Sequence, residues 1–328
     1  MKNYLLIAIV MLATACKQKA SNESSLSETT KNNYHLDSTY LFKAKPNKGF
    51  NFDYYLFLPK GINNNKEITI LIESNNTGLS DDIEHHMRGA KFAAAKSSVG
   101  NYVSNKLKIP LLVPIFPRSE TNWKIYTHAF DSETFNQKSS NLERLDLQLL
   151  AMFEDAKETL YSNGYNVKEK FFITGFSASG TFANRFSILH PQKIKAVCAG
   201  GVNSILILPI EEYLGKKLHF PIGIADVASV TGAKVNLNEF KKLPQFWFMG
   251  ANDKNDAAQY NDGYNQNERE LIFDILGITL IPNRWESVQK IYEAHDIPAT
   301  FKVYDGIGHG TDLRINDDIS DFFKKYLN

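Results

Sequence analysis

The sequence predicts an α/β protein with a mainly parallel central sheet and helices on both faces. Three observations carry that expectation. Short apolar runs of strand length, such as "EITILIES" (67–74), alternate with long runs of helical spacing, such as "NLERLDLQLLAMFEDAKETLYSNG" (141–164). Strands joined through helices are parallel neighbours, and the connecting helices cover both faces of the sheet. The chain has 328 residues, 43% of them hydrophobic, with 22 Phe and 15 Tyr, enough for one large core. In such sheets ligands sit beyond the carboxyl ends of the strands, so function is sought in the loops that leave them.

The chain opens with "MKNYLLIAIVMLATAC". Lys2 supplies a basic start, Leu5 to Leu12 a short apolar stretch, and Ala13, Thr14 and Ala15 small residues before Cys16. This reads as a secretory signal over 1–15. It resembles a bacterial lipoprotein signal, which implies lipidation of Cys16, a membrane anchor and a place in the cell envelope. The alternative is an ordinary secretory signal with an incidental cysteine. Residues 16–35 are polar and rich in Ser and Asn, and read as a flexible tether. Residues 36–328 form the remaining domain. Cys198 lies in the apolar run "IKAVCAGG" and reads as a buried small hydrophobe. The formal net charge is +1, and after Lys2 the chain is neutral, which argues against nucleic acid as a partner.

The elements follow in order. Strands are expected at 50–59, 67–74 and 109–117, with one helix over 82–107 between the last two. The helix at 141–164 puts Leu145, Leu149, Met152 and Leu160 on one side and stops at Asn163-Gly164. Arg144 and Asp146 are expected on its surface. Then come strand 170–176, helix 179–190, strands 194–199 and 245–250, helices near 266–276 and 283–295, strand 299–304 and helix 314–327. The long segment 203–243 reads as a cap-like insertion that sets substrate specificity. "DDIEHHMR" (81–88) places two adjacent histidines on different sides of a helix, unlike a zinc-binding pair, and reads as an exposed, acid-rich first turn of that helix. No phosphate-binding or dinucleotide motif appears, so no cofactor and no metal are expected.

Strand 170–176 ends in "ITGFSASGTF". A strained strand-to-helix turn that raises a serine needs small residues on either side, because strand and helix approach closely there. Gly175 and Ser179 flank Ser177, and Gly180 adds room. Ser179 is the rival nucleophile, but Thr181 would crowd it. A turn with a capping serine is the structural alternative. A serine hydroxyl needs a base. His309, in "DGIGHGTD" after the last strand, is the candidate. The base needs a carboxylate to hold its tautomer. Asp253, three residues beyond Gly250, is preferred to Asp256 because it lies closer to the strand end.

The order Ser177, Asp253, His309, with each residue after a strand, resembles the α/β-hydrolase superfamily over 50–328. "GFSASGTFANRFSILHPQKIKAVCAGG" looks like its secreted-esterase, polyhydroxyalkanoate-depolymerase and dipeptidyl-peptidase branches. The resemblance implies hydrolysis of an ester or related acyl bond, in a small molecule or a polymer, through an acyl-enzyme. It also implies an oxyanion hole from the N–H of Ala178 and a second donor in the loop after strand 67–73. Relatives often carry His-Gly there. This chain has "IESNNTG", which makes the Asn76 N–H the expected donor, with Asn75 next. Trp123, Tyr126 and His128 are candidates to line a substrate pocket, and Arg118 to meet an anionic group. A serine peptidase and a non-catalytic binding lipoprotein remain as alternatives. Peptidase relatives usually carry a large preceding domain, whereas about 15 ordered residues are expected before the first strand here, which favours an esterase.

Overall fold

Continuous apolar runs build the central strands of the sheet, which are buried on both faces. The computed structural model describes residues 34–328. The expected signal, Cys16 and nearly all of the tether lie outside the described residues. The strands are β1 (Ser38–Phe42), β2 (Tyr54–Leu58), β3 (Leu71–Glu73), β4 (Leu111–Pro114), β5 (Phe171–Phe176), β6 (Ile194–Gly200), a small hairpin of β7 (Glu212–Tyr213) and β8 (Lys216–Lys217), β9 (Gln245–Gly250) and β10 (Ala299–Tyr304). The main sheet runs β1-β2-β4-β3-β5-β6-β9-β10. β2 is antiparallel to both its neighbours, and every later pairing is parallel. Successive residues of β5 enter opposite cores: Phe171 and Ile173 one, Phe172 the other.

The helices are α1 (Ile83–Ala95), α2 (Val99–Leu107), α3 (Ser132–Phe135), α4 (Leu145–Ser162), α5 (Ala178–Leu189), α6 (Val227–Thr231), α7 (Leu237–Lys242), α8 (Ala257–Tyr260), α9 (Gln266–Leu276), α10 (Trp285–Ala294) and α11 (Leu313–Lys324). Apolar residues of α1, α2 and α11 cover one face of the sheet. Those of α4, α5, α9 and α10 cover the other. The mainly parallel sheet between two helical layers is the architecture the alternation predicted.

Four expectations need correction. The helix expected over 82–107 is two helices, because Ser98 is extended and its Oγ accepts the Asn101 N–H at 2.9 Å, capping α2. β1 was not anticipated. It is a half-buried edge strand that pairs with β2 alone. Asp146 is not on a surface but fully buried, and receives Arg144 Nε and Nη2 at 2.9 and 2.7 Å. His190 Nε2 lies 2.8 Å from the same carboxylate. His86, read as part of an exposed turn, is also buried.

The insertion between β6 and β9 carries β7, β8, α6 and α7. Its Leu206, Leu208, Leu218, Phe220 and Ile222 lie in the core on the α5 side. Asn184 of α5 fastens it by accepting the Ile207 N–H at 2.7 Å.

Candidate active site

β5 ends at Phe176, and α5 begins two residues later, so Ser177 alone makes the turn. Its φ of 61° and ψ of −127° are a strained conformation for a residue with a side chain. The surroundings hold it there. Its N–H donates to Gly200 O at 3.0 Å, and its carbonyl accepts the Thr181 N–H at 2.9 Å. A Cβ on Gly175 would overlap the Ser179 backbone, and one on Gly180 would overlap the Gly200 carbonyl. Strand and helix therefore cross as closely as their glycines allow. Ser179 is buried, its Oγ donating to Phe176 O at 2.8 Å and accepting the Phe176 N–H at 2.9 Å. Its hydroxyl is committed to the turn, while that of Ser177 is left at the mouth.

His309 stands in the loop after β10. Its Nε2 lies 2.9 Å from Ser177 Oγ, and its Nδ1 lies 2.9 and 3.1 Å from the two oxygens of Asp253. A carboxylate accepts, so Nδ1 carries the proton and Nε2 presents its lone pair to the serine. The imidazole side chain is 27% exposed and the carboxylate 1%, so the base faces solvent and the acid does not. The loops after β9 and β10 are laced together, with Asn252 N–H donating to Ile307 O at 2.8 Å. A Cβ on Gly250 would overlap Gly308 O, so this close approach requires glycine. Asp256 faces away. Its carboxylate pairs with Arg284 in a buried ion pair.

Side chains hold the loop after β3. Asn75 is fully buried; its Nδ2 donates to Phe116 O at 2.9 Å and its Oδ1 accepts the Phe116 N–H at 3.0 Å. It ties the β3 loop to the β4 loop, so its side chain is no oxyanion donor. His128 is also fully buried and donates from Nε2 to the same Phe116 carbonyl at 2.9 Å. Burial drives its pKa down to about 3, so it stays neutral. It is part of this scaffold and does not line a pocket. His86 completes it, contacting Thr77 Oγ1 at 2.7 Å and Ser80 O at 2.9 Å. Asn76 is exposed, and it shares a cavity of about 390 Å³ with Phe176 and Ser179. Ala178, the first residue of α5, has an N–H with no acceptor inside the helix.

Of the four expected pocket residues, only Trp123 opens to solvent. It is 43% exposed and lines a cavity of about 320 Å³ with Gly263 and Arg269. Tyr126 is buried and packs in a small apolar cluster with Ala178 and Ala129. Arg118 is buried, stacks on Tyr126 with its guanidinium carbon 3.3 Å from the ring centre, and pairs with Asp262 at 2.8 Å. Its charge is answered within the protein. Cys198 is buried, and burial pushes its thiol up, as its apolar run implied. Among the described residues no group of acidic, His or Cys side chains is placed to hold a metal.

Two contributors were not anticipated. Gly200, at the end of β6, accepts the Ser177 N–H. Asn255 brings its Nδ2 to 3.0 Å from His309 Nε2. Neither has a local sequence signal, since each acts on a residue brought near by strand order.

The chain has the α/β-hydrolase fold. No protein-family model matches it, and no curated protein matches its sequence. Solved structures do match its shape. Poly(aspartic acid) hydrolase-1 from Sphingomonas sp. KT-1 is similar with a TM-score of 0.54 at 15% identity, over 88% of this chain and 97% of that one. A poly(3-hydroxybutyrate) depolymerase from Bordetella parapertussis is similar with a TM-score of 0.53 at 14% identity, over 89% and 90%. A protein from Bacteroides ovatus ATCC 8483, provisionally named a dipeptidyl aminopeptidase IV, gives 0.50 at 14%, but the match spans only 36% of its length.

Proposed function

We propose that the protein is a serine hydrolase that cleaves an ester, or a related acyl bond, through an acyl-enzyme. The observation that carries this reading is the unbroken relay from Ser177 Oγ through His309 to Asp253, with both contacts at 2.9 Å. In it Ser177 attacks the carbonyl carbon while His309 Nε2 takes its proton. Asp253 holds the tautomer and stabilises the imidazolium. The oxyanion forms in reach of the Ala178 N–H and the Asn76 N–H. The tetrahedral intermediate collapses as His309 returns the proton to the leaving group. Water, deprotonated by the same imidazole, then releases the acid.

The hydrolase and depolymerase names of the similar folds support the reaction class. The substrate is a small-molecule or polymer ester. A serine peptidase is the second reading, favoured by the likeness to the Bacteroides ovatus protein. The leader sequence supports an envelope protein anchored to a membrane through lipid on Cys16.

A fluorophosphonate probe tests the chemistry. The mature protein becomes labelled, and Ser177→Ala and His309→Ala abolish or nearly abolish labelling. A wild type that takes no label favours the binding lipoprotein instead. Label that survives Ser177→Ala removes Ser177 from the role. A panel of short acyl esters and aminoacyl amides separates esterase from peptidase. For the anchor, a labelled fatty acid fed to expressing cells enters the wild type and not Cys16→Ser.

A further inference from the structure

We propose that Asn255 is a further catalytic residue, an amide that partners Nε2 of His309 in both of its protonation states. The inference rests on the serine-hydrolase reading. Its starting point is a competition. In the neutral ring, with the Nδ1 proton directed at Asp253, Nε2 has one lone pair. Two donors reach it: the Ser177 hydroxyl at 2.9 Å and the Asn255 Nδ2–H at 3.0 Å. The other groups placed against the ring are the Asp253 carboxylate and the Phe176 ring, whose centre is 4.9 Å away.

Proton transfer changes what Nε2 needs. As Ser177 attacks, its O–H bond breaks and an Nε2–H bond forms. Nε2 is then a donor, and the Asn255 N–H that faced it becomes repulsive. Half a turn of the amide about its Cβ–Cγ bond replaces Nδ2 by Oδ1, which accepts from the imidazolium. The turn gives up only the Nδ2 contact with His309 that protonation has made repulsive, because among the described residues Oδ1 has no partner and Nδ2 has no other. The residue is exposed, so nothing encloses the amide. Its main chain stays fixed, since the Asn255 N–H donates to Asp253 Oδ1 at 2.9 Å. The carboxylate that orients the base thus also anchors the residue that answers its charge. The amide stands where Nε2 must meet the leaving group, so it also borders the leaving-group position.

The test uses the full mature protein and a fluorophosphonate. Loss of one hydrogen bond to a charged group at an exposed site makes Asn255→Ala phosphonylate about tenfold more slowly, with an unchanged Tm. Asn255→Asp puts a charge that favours the imidazolium at the same place. It moves the acid limb of the phosphonylation-rate profile to higher pH by about one unit, with reactivity regained above it. Asn255→Ala reacting at the wild-type rate, or an acid limb that stays in place in Asn255→Asp, overturns the proposal. Labelling that depends on Ser177 but ignores Asn255 sinks this inference alone. Labelling that ignores Ser177 sinks the reading beneath it.

Discussion

Asp253 and Asp256 lie three residues apart, and exchanging each for Asn is expected to damage different properties. Asp253 uses both oxygens: Oδ1 accepts the Asn255 N–H at 2.9 Å, and Oδ2 faces His309 Nδ1 at 2.9 Å. An asparagine has one acceptor and one donor for those two neighbours. If its oxygen stays on the Asn255 N–H, its NH₂ faces Nδ1 and forces that nitrogen to accept. The ring proton moves to Nε2, which can no longer take the proton of Ser177. The corresponding exchange in a serine protease triad costs roughly 10⁴ in kcat, about 5.5 kcal/mol of barrier. The opposite amide orientation keeps the tautomer but strands a backbone N–H, at about 1–3 kcal/mol of stability. Because the productive orientation is disfavoured by that cost of about 1–3 kcal/mol, a mixture of the two still loses about 5- to 160-fold in kcat. Asp256 instead neutralises Arg284, and their side chains are 3% and 0% exposed. Asp256→Asn leaves that guanidinium buried without a counter-charge, a loss of about 3–5 kcal/mol of stability. Its kcat stays within a few-fold of wild type at temperatures where it is folded. The assay pairs single-turnover phosphonylation with urea denaturation of both variants. A stable Asp256→Asn that has lost its chemistry, beside an active Asp253→Asn, would refute the assignment.

Ser179→Ala keeps fluorophosphonate labelling but loses about 1–2 kcal/mol in urea denaturation, because its hydroxyl serves both the N–H and the carbonyl of Phe176. Asn75→Ala lowers kcat about tenfold or more on a short ester, by freeing the β3 loop from Phe116, while Ser177 still labels. Trp123→Ala raises KM for bulky esters and leaves the smallest acetate esters unchanged, since the exposed indole lines a cavity of about 320 Å³. Acid stability reports Asp146. Burial alone would raise its pKa, but His190 and Arg144 outweigh this and hold it at about 2, below the ordinary 3.8. Its stabilisation, about 2 kcal/mol, is complete above 3.8 and lost as pH falls through 2. Urea midpoints measured from pH 5 to pH 2 fall less steeply in Asp146→Asn.

The sheet was legible because its strands are buried on both faces and so read as apolar runs. β1 was not, being a half-buried edge whose residues pair only with β2. The break before α2 rests on one cap, Ser98, in a stretch whose composition suits a helix throughout. Ser177 stood out through Gly175 and Gly180, which mark a close approach of strand and helix, and the Asp253 loop through Gly250, which meets the Gly308 carbonyl. A Cβ on either glycine that flanks His309 would meet nothing closely. Buried polar side chains were the opaque class. Asn75, His128 and Arg118 look like loop residues available to a ligand, yet their partners are Phe116 and Asp262. Those partners lie 41, 12 and 144 residues away. Local pattern cannot reveal a partner at that range. The same limit left Asp253 and Asp256 open until Arg284, 28 residues further on, claimed the second.

These long-range pairings explain how loops can hold a site in place. Each loop at the carboxyl edge is pinned by a neighbour rather than by its own turn. Asn75 pins the β3 loop to the β4 loop through both sides of the Phe116 peptide. Gly200 pins the serine turn to β6, and Asn252 pins the β9 loop to the β10 loop. Strand order therefore decides which loops support each other, and an interaction at one strand end is felt at the next. Rigid positioning of this kind lets a serine and an imidazole meet without each being ordered anew during catalysis. Asn255 is the exception: its main chain is pinned by Asp253 while its amide is free to turn. Within a fixed frame, the group beside the travelling proton is the one left able to rotate.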